Sequence, residues 1–543
     1  MPASRRALYL APLLVACAGC MVGPTYRAAP ANVPNRFGEL GRLDGSLSAS
    51  TAAALPSGAP VDPEQLRQWW TVFHDPMLDS LIARALQNNW DLQIAISRVR
   101  EARAERAIAA GGLWPEIDAT TGYNRGYGSK NVQLPLSALG AGSAAPAASP
   151  AASANAGPGI AKSARAEEAG GGAAPSGPSA SAPPGGPSSP FGEGGLPGVT
   201  TNLYQLGFDA VWEIDVFGGT RRTIQAADAQ AAAAEEGERG VRVTLLAEVA
   251  RSYLQLRADQ AREAIARRNL AAERLTWKIA ADKFKAGLGD ELPVDQEAAQ
   301  YRLTEATLAP LQAAERAGQH AVAFLLGEVP TALASELSPL QALPALPPDL
   351  PIGVPSELLR RRPDVRQAER NLAAATAEVG VATAQLFPQF SLTGSLGLDS
   401  SELHQLPEWG SHYYSIAPGI RWPILDWAQL RAAIRVEDER QTQAALAYQT
   451  AVAQALKDVE DGLVRYSSDR GRHAALIQAV AAARRAHRVA EQIHQQGLTD
   501  LLATLTAEQT ELQAEDALAQ SDASLRIDLV GLYKALGGGW SPD

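Results

Sequence analysis

Cysteine is almost missing from this chain of 543 residues: there are two, Cys17 and Cys20. Both stand at the extreme N-terminus, which excludes a disulfide framework. Basic charge is in deficit, with 48 Lys and Arg against 59 Asp and Glu. The net charge of −11 argues against a nucleic-acid partner, because phosphate binding wants a basic face. Aromatic residues make up only 6% of the chain, while alanine is abundant. That mix suits long helices packed closely through small side chains better than a thick globular core. Long apolar runs are lacking too. No stretch approaches about 18 consecutive apolar residues, so no transmembrane helix is expected. A lipid anchor or a β-barrel is the only membrane route left. The histidines (His74, His320, His404, His412, His473, His487 and His494) are scattered, without metal-ligand spacing. His487 and His494 share one helix face, as surface or seam residues do. There is no phosphate-binding loop and no G-x-S-x-G. Neither catalytic residues, nor a metal site, nor a cofactor other than covalent lipid is expected.

What is present begins with a targeting signal. Arg5 and Arg6 precede the apolar stretch "ALYLAPLLVACAG", which is too short to span a bilayer. Small residues follow, directly before Cys20. The segment "CAGC" resembles a bacterial lipobox, with Cys17 where Leu is usual. Residues 1–19 then form a lipoprotein signal peptide, and Cys20 carries a covalent lipid (a palmitate-bearing anchor). A redox or metal C-x-x-C pair is the weaker reading, since Cys17 would be cleaved away. Met21, rather than Asp, after the cysteine implies outer-membrane delivery.

The chain also contains its own half-copy. "NNWDLQIAISRVREARAERAIAAGGLWPEIDATTGY", from Asn88, matches "RRPDVRQAERNLAAATAEVGVATAQLFPQFSLTGSL", from Arg361, at a constant separation of 273 positions. Trp212 with Trp422, Arg221 with Arg431, Gly287 with Gly497, and Leu326-Gly327 with Leu536-Gly537 match at 210. The first copy therefore carries about 63 extra residues between Tyr123 and Trp212, where the run containing "APSGPSASAPPGGPSSP" sits. The run is an insertion inside one repeat, not a linker between domains. Residues 20–327 are expected to hold the anchored N-terminal segment and first repeat, 328–354 a connection, and 355–543 the second repeat.

Each repeat alternates helix and strand. Asp75-Pro76 looks like a helix start, with Asp as N-cap. Leu92, Ala95, Val99, Ala102 and Ala109 form a seam stepping by three and four, interrupted by Arg106. Val365, Ala368, Leu372, Ala375, Val379 and Ala382 form its counterpart. Past Pro115 and Pro388 the period switches to two. Strands are expected at about 116–126, 201–216, 388–398 and 413–427. Leu206, Phe208, Ala210, Trp212 and Ile214 oppose Asp209, Val211, Glu213 and Asp215. Phe390, Leu392, Leu396 and Leu398 oppose Ser391, Thr393 and Ser395. Ile416, Ile420, Trp422 and Ile424 likewise alternate with polar or small residues. A soluble sheet with one wet face would alternate in the same way. Downstream of a lipoprotein signal, strands apolar outward and polar inward suit a transmembrane barrel better. Asp118, Asp209, Glu213 and Asp215 are then candidates to face the lumen and favour cations, against Arg421. Trp212, Phe217, Trp422 and Trp427 fit either an aromatic girdle or packing at the strand-to-helix junctions. From Arg221 to Ala286 runs one long helix, with Leu246, Val249, Tyr253 and Leu256 as its seam. It breaks at Gly287, Gly289 and Pro293, and the second copy breaks at Gly497. Four strands cannot close a barrel, and open edges are not viable in lipid. Oligomerisation follows; three copies would give twelve strands, although the number three is not in the sequence.

The strings "QWWTVFHDPMLDSLIARALQNNWDLQIAISRVREARAERA", "PSELLRRRPDVRQAER" and "VGPTY" resemble the NodT-type outer-membrane factor lipoproteins, relatives of TolC and OprM. The resemblance spans nearly all of the mature chain except the low-complexity run. It implies a mixed α and β fold, internally duplicated, with a long α-helical coiled-coil barrel. Four strands per chain would join a trimeric twelve-stranded transmembrane β-barrel. It also implies the outer-membrane channel of a tripartite efflux system for drugs or other small solutes, a role in antibiotic resistance. The partners would be two further copies, outer-membrane lipid, a periplasmic adaptor (membrane fusion) protein, and an inner-membrane pump of resistance-nodulation-division type. The lipid-anchored protein would lie in a Gram-negative outer membrane with a large periplasmic portion. Gly287 and Gly497 map to the periplasmic tip, and Asp290, Glu291, Asp295 and Asp500 to its entrance. Solvated turn carboxylates are the alternative for these acids. The family often carries two Asp after the second break, where this chain has Ala503 and Thr506. The insertion, about 127–200, would form an outer loop between the first two strands. A protein or polymer secretion duct and a periplasmic coiled-coil structural lipoprotein remain as other readings.

Overall fold

A computed structural model of the chain describes residues 21–28, 33–39, 63–131, 199–346, 355–496, 498–499 and 501–541. Cys20, Gly497, Asp500 and most of the insertion lie outside the described residues. The chain divides into a helical unit and a sheet unit, the latter formed by Pro115–Glu213 and Ser391–Gly419.

The helical unit has seven principal helices: α1 Pro76–Asn88, α2 Trp90–Gly111, α3 Gly219–Lys285, α4 Glu291–Leu325, α5 Pro363–Ala384, α6 Trp427–Gln495 and α7 Leu501–Ala535. Asp75 starts α1 as its N-cap, accepting from the backbone N–H groups of Met77 at 2.9 Å and Leu78 at 3.3 Å. Its second oxygen accepts the Tyr253 hydroxyl at 2.6 Å, tying α1 to α3. Burial and that carboxylate push the Tyr253 hydroxyl up to about 12. At 1.5 Å per residue α3 and α6 each run roughly 100 Å.

The element bounds carry the internal duplication. α2 and α5 are both 22 residues, and α4 and α7 both 35. Their ends stand at the separations seen in the sequence.

α3 is the spine. α1, α2, α4, α5 and α7 all pack against it, and α6 packs against α5 and α7. Its predicted seam, Leu246, Val249, Tyr253 and Leu256, is fully buried. Around it gather Trp69, Phe73, Leu78, Leu81, Ile82, Leu326, Leu333, Leu529 and Tyr533 in one core. Trp69 stacks on Tyr533 with ring centroids 5.3 Å apart. Away from this core a second cluster, Val365, Tyr448, Val452 and Ala455, joins α5 to α6, and α2 meets α3 largely through alanines and ion pairs. Arg106, which interrupts the α2 seam, reaches Asp228 of α3 at 2.8 Å. The two seams differ in depth. On α2 burial ends at Val99, whereas on α5 the predicted Val365, Leu372, Val379 and Ala382 are buried together with Ala374, Thr376 and Ala377, and Ala368 and Ala375 are half-buried. The reason is position: among the described residues α2 packs chiefly on α3, while α5 lies between α3 and α6.

The sheet unit holds four strands in consecutive order: β1 Glu116–Tyr127, β2 Thr200–Ile214, β3 Gln389–Ser400 and β4 His412–Arg421. β1 and β2 pair antiparallel from Glu116↔Val211 to Tyr127↔Thr200. The ladder continues flush to the insertion, where the Gly128 N–H donates to the Val199 carbonyl at 3.3 Å. The fourth strand is shorter than expected. It stops at Arg421, because Pro423 has no N–H to give the ladder and restricts Trp422 before it. Trp422 and Ile424 lie past the strand, and Trp427 opens α6. β2 likewise ends at Ile214, ahead of Asp215.

Gly327 and Gly287 have the same left-handed backbone, φ +71°, yet differ in surroundings. A Cβ on Gly327 would stand 2.5 Å from the Asn88 carbonyl oxygen, while one on Gly287 would meet nothing within 4 Å. Gly287→Ala should cost about 1 kcal/mol, the left-handed backbone cost alone. Gly327→Ala should cost at least about twice that, since the chain ahead of α2 must shift. Thermal unfolding of the two purified variants checks this; equal losses would contradict the close approach.

Candidate functional site

Two places on the chain combine geometry and charge in ways that packing alone does not need. The first is the sheet. Its even-numbered face exposes Leu206, Phe208, Leu396, Tyr414, Ile416 and Ile420, with Ile117 and Tyr123 on the same side of β1 through their partners Ala210 and Tyr204. Phe208 is 58% exposed and Ile416 73%. A contiguous apolar face of this kind requires a covering phase. The opposite face is polar. Asp118 stands directly across from Asp209, and Thr120 donates to the Asp209 carboxylate at 3.1 Å. Thr393 donates to the Ala417 carbonyl at 3.2 Å on the same side. Gly207 and Gly397 let β2 and β3 approach closely, and the Tyr413 ring covers the backbone they leave bare. β1 and β4 are the open edges of the sheet.

The candidate lumen residues separate. Asp209 is on the polar face; Glu213 is exposed near the end of β2, and Arg421 closes β4. Asp215 is different. It lies beyond β2 and accepts from the Arg221 backbone N–H at 3.0 Å and from its guanidinium at 3.1 Å, so it ties down the start of α3.

Beside that start, the segment after Cys20 is docked. The Val22 N–H donates to the Phe217 carbonyl at 3.1 Å, and Arg222 donates to the carbonyls of Val22 and Gly23 at 3.0 Å each. Gly23 (φ +85°) sits so close to Gly380 of α5 that a Cβ would stand 2.5 Å from it. Phe217 stacks on Phe387 at 4.8 Å, and the Trp422 indole donates to the Leu386 carbonyl at 3.2 Å. The docked segment and these aromatics thus occupy one neighbourhood of the helical unit.

The second place is the turn between α3 and α4. Gly287 ends α3, with the Leu288 N–H donating back to the Lys283 carbonyl at 2.9 Å. Asp290 precedes α4 in the N-cap position, and Glu291 and Asp295 lie in its first turns, all three exposed. Leu288 is 79% exposed, and Leu498 of the second copy 73%. Leu292 and Leu502 are a second exposed pair at matching positions. Ala503 and Thr506 are exposed on one face of α7.

Sequence reasoning missed the groups buried just behind this turn. Glu273 of α3 and Glu297 of α4 are fully buried, and Glu508 of α7 nearly so. Thr304 and Gln300 donate to one Glu273 oxygen at 2.8 and 3.2 Å. The other Glu273 oxygen and both Glu297 oxygens have no hydrogen-bond partner. Burial, reinforced by Glu508 and Glu273, pushes the Glu297 carboxyl up to about 7. Burial raises Glu273 and Glu508 as well. Glu297, Thr304 and Leu311 are buried at seven-residue spacing, so extending the α4 seam backward would have found the first acid.

The profile of the family described as "Outer membrane efflux protein" matches residues 81–328 and 354–538. A pyoverdine export outer membrane protein, OpmQ, of Pseudomonas aeruginosa is 31% identical over 92% of this chain and 93% of its own. Nodulation protein T of Rhizobium leguminosarum bv. trifolii is 26% identical over 96% and 95%. The solved structure of the outer-membrane channel OprN matches with a TM-score of 0.76 and 32% identity, over 96% of this chain and all of that one. The family resemblance in the sequence, the alternation of helix and strand, and these end-to-end matches agree: the chain belongs to the outer membrane efflux protein family, and it is an efflux-channel component of the outer membrane, not an enzyme.

Proposed function

We propose that three copies of this chain close their sheets edge to edge into one twelve-stranded barrel, with their helices continuing it as a periplasmic duct. The observation that carries this is a sheet with two open edges and an apolar outer face. In lipid every backbone N–H and C=O must be paired, so such edges must meet those of other copies. The duct takes small solutes from a periplasmic adaptor and an inner-membrane pump, of the resistance-nodulation-division type, and releases them outside. Pyoverdine export by the relative supports a small-molecule cargo, and drugs fall in the same class. Cys20 carries the lipid; the docked Met21–Arg27 segment supports an anchor held beside the Phe217–Phe387 aromatics. The insertion after Tyr127 joins the strand ends farthest in the chain from α2 and α3, and so opens to the outside. Asp290, Glu291, Asp295 and Asp500 line the entrance, and Asp209 and Glu213 the lumen. The repeated exposed leucines, Leu288 with Leu498 and Leu292 with Leu502, form the apolar contact for the adaptor.

Phe208→Arg should cost about 2–4 kcal/mol at mid-membrane and abolish insertion of trimers, while Thr393→Arg on the polar face should leave assembly intact. Native mass spectrometry of detergent extracts counts the copies; three chains per particle for Thr393→Arg and none for Phe208→Arg is the expected pair. Equal assembly of both would reverse the faces. Leu288→Ser combined with Leu498→Ser should leave the trimer and its bilayer conductance unchanged but reduce solute export from cells by tenfold or more. Export at the wild-type level would remove the leucines from the adaptor contact. Radiolabelled palmitate should enter the wild-type protein and not Cys20→Ser; label in the variant would place the lipid elsewhere.

A further inference from the structure

Buried acids in this protein are of two kinds. Glu515 of α7 is buried between two guanidinium groups, Arg268 of α3 and Arg484 of α6, each 2.5 Å away. That carboxylate is met by a cation on either side. Glu273, Glu297 and Glu508 have no such neutralisation. Glu297 faces two other carboxyls, on α3 and α7. Glu508 faces Glu273 of α3, Glu511 of its own helix, and His487 and Glu491 of α6. The nearby α6 side chains are engaged elsewhere: His487 lies 2.7 Å from Glu511, and Arg484 pairs with Glu515 and Glu511. Glu273 receives only the neutral donors Thr304 and Gln300. An ionised carboxylate buried with no partner is strongly disfavoured, so a group placed there binds a proton instead.

We propose that Glu273, Glu297 and Glu508 form a proton-held latch, which keeps the starts of α4 and α7 packed on α3 while protonated and releases them on ionisation. Position suits the role. Glu297 is six residues into α4 and Glu508 seven into α7, so both lie within roughly 10 Å of the helix starts. A separation there would move the α3–α4 turn without disturbing the core around Leu246 and Tyr253. The latch is one per chain, because the second copy has Ala483 at the position matching Glu273 and Ala507 at that matching Glu297.

The sign follows from the raised carboxyls. The packed arrangement holds protons that the separated one releases, so falling pH favours packing and rising pH favours release. The packed advantage is complete below about 4.5, the ordinary glutamate value, and is lost as pH climbs through about 7. Between pH 5.5 and 8 Glu297 alone should shift the ratio of packed to separated roughly 25-fold.

Hydrogen exchange measured by mass spectrometry on the intact, detergent-solubilised protein tests this. After correction for the intrinsic pH dependence of exchange, protection of residues 294–304 and 504–511 should fall by up to about 25-fold from pH 5.5 to 8. Protection of residues 245–256 should not change. Glu297→Gln should hold the acid level of protection at pH 8. Glu508→Gln, a second variant should the first not assemble, should weaken the fall severalfold. A wild-type protection that ignores pH, or either variant keeping the full fall, overturns the latch. That the latch also gates the duct rests on the channel reading. Bilayer conductance of the same preparation separates the two: protection that changes while conductance does not would keep the latch and overturn its place at the entrance.

Discussion

The packing of one helix against five others is the interaction on which the structure depends. α3 can serve as that spine because its residues are apolar or small on nearly every side between Val243 and Ala258, not along one stripe. Leu246, Val249, Tyr253 and Leu256 take the seam toward the N-terminal helices and α4. Around Ala226, Ala231 and Ala233 the helix becomes small instead of large, and α2 and α5 approach there through alanines and ion pairs such as Arg106–Asp228 and Arg366–Glu236. The exposed Arg106–Asp228 pair contributes little energy, and Arg366 supplies a cation to the buried Glu236. They set which faces meet, while the central core supplies the binding strength. Few aromatic side chains are needed along the arms, where Trp277 stacks on Tyr301 at 5.6 Å and Tyr448 packs with Val365 and Val452.

Much of this was legible because the same physical rule is applied twice along the chain. A seam stepping by three and four, a proline, then alternation by two, reads as helix and strand wherever it occurs. The two copies give identical lengths for α2 and α5, and for α4 and α7, since both obey it. The misses have equally local causes. β4 was drawn too long because Trp422 and Ile424 keep the alternation going past a proline that ends the hydrogen bonding. The extra buried positions of α5, Ala374, Thr376 and Ala377, were invisible because no periodicity tells how many neighbours a helix has. Asp215 looked like one of a row of acids on β2, and only the fold turns it toward Arg221. The buried glutamates were passed over because a charged residue on a seam reads as an interruption, as Arg106 did. Arg106 does break its seam and finds Asp228; Glu297 stays inside with no cation to meet.

The duplication is also informative where it fails. Gly327 and Gly537 share a left-handed φ and the same crowding against the chain that leads into the next helix, Asn88 in one copy and Arg361 in the other. Those positions are fixed by backbone geometry, which leaves only glycine. Glu273 and Ala483, by contrast, occupy matching positions with opposite chemistry. Geometry tolerates either, so the difference has to be explained by something other than folding. A carboxyl buried with neutral donors and no cation, as Glu273 is, lowers stability at neutral pH compared with an alanine. Its presence in one copy and not the other marks the two hairpins as unequal parts of one assembly.

The flush closure of the β1–β2 ladder at Gly128 and Val199 separates two kinds of selection. Register is locked by the twelve pairs below that point, so the chain between them contributes nothing to alignment and almost nothing to the free energy of folding beyond a logarithmic entropy term. Within the ladder the demand is strict, because a shift of one residue would turn every side chain of a strand to the wrong face.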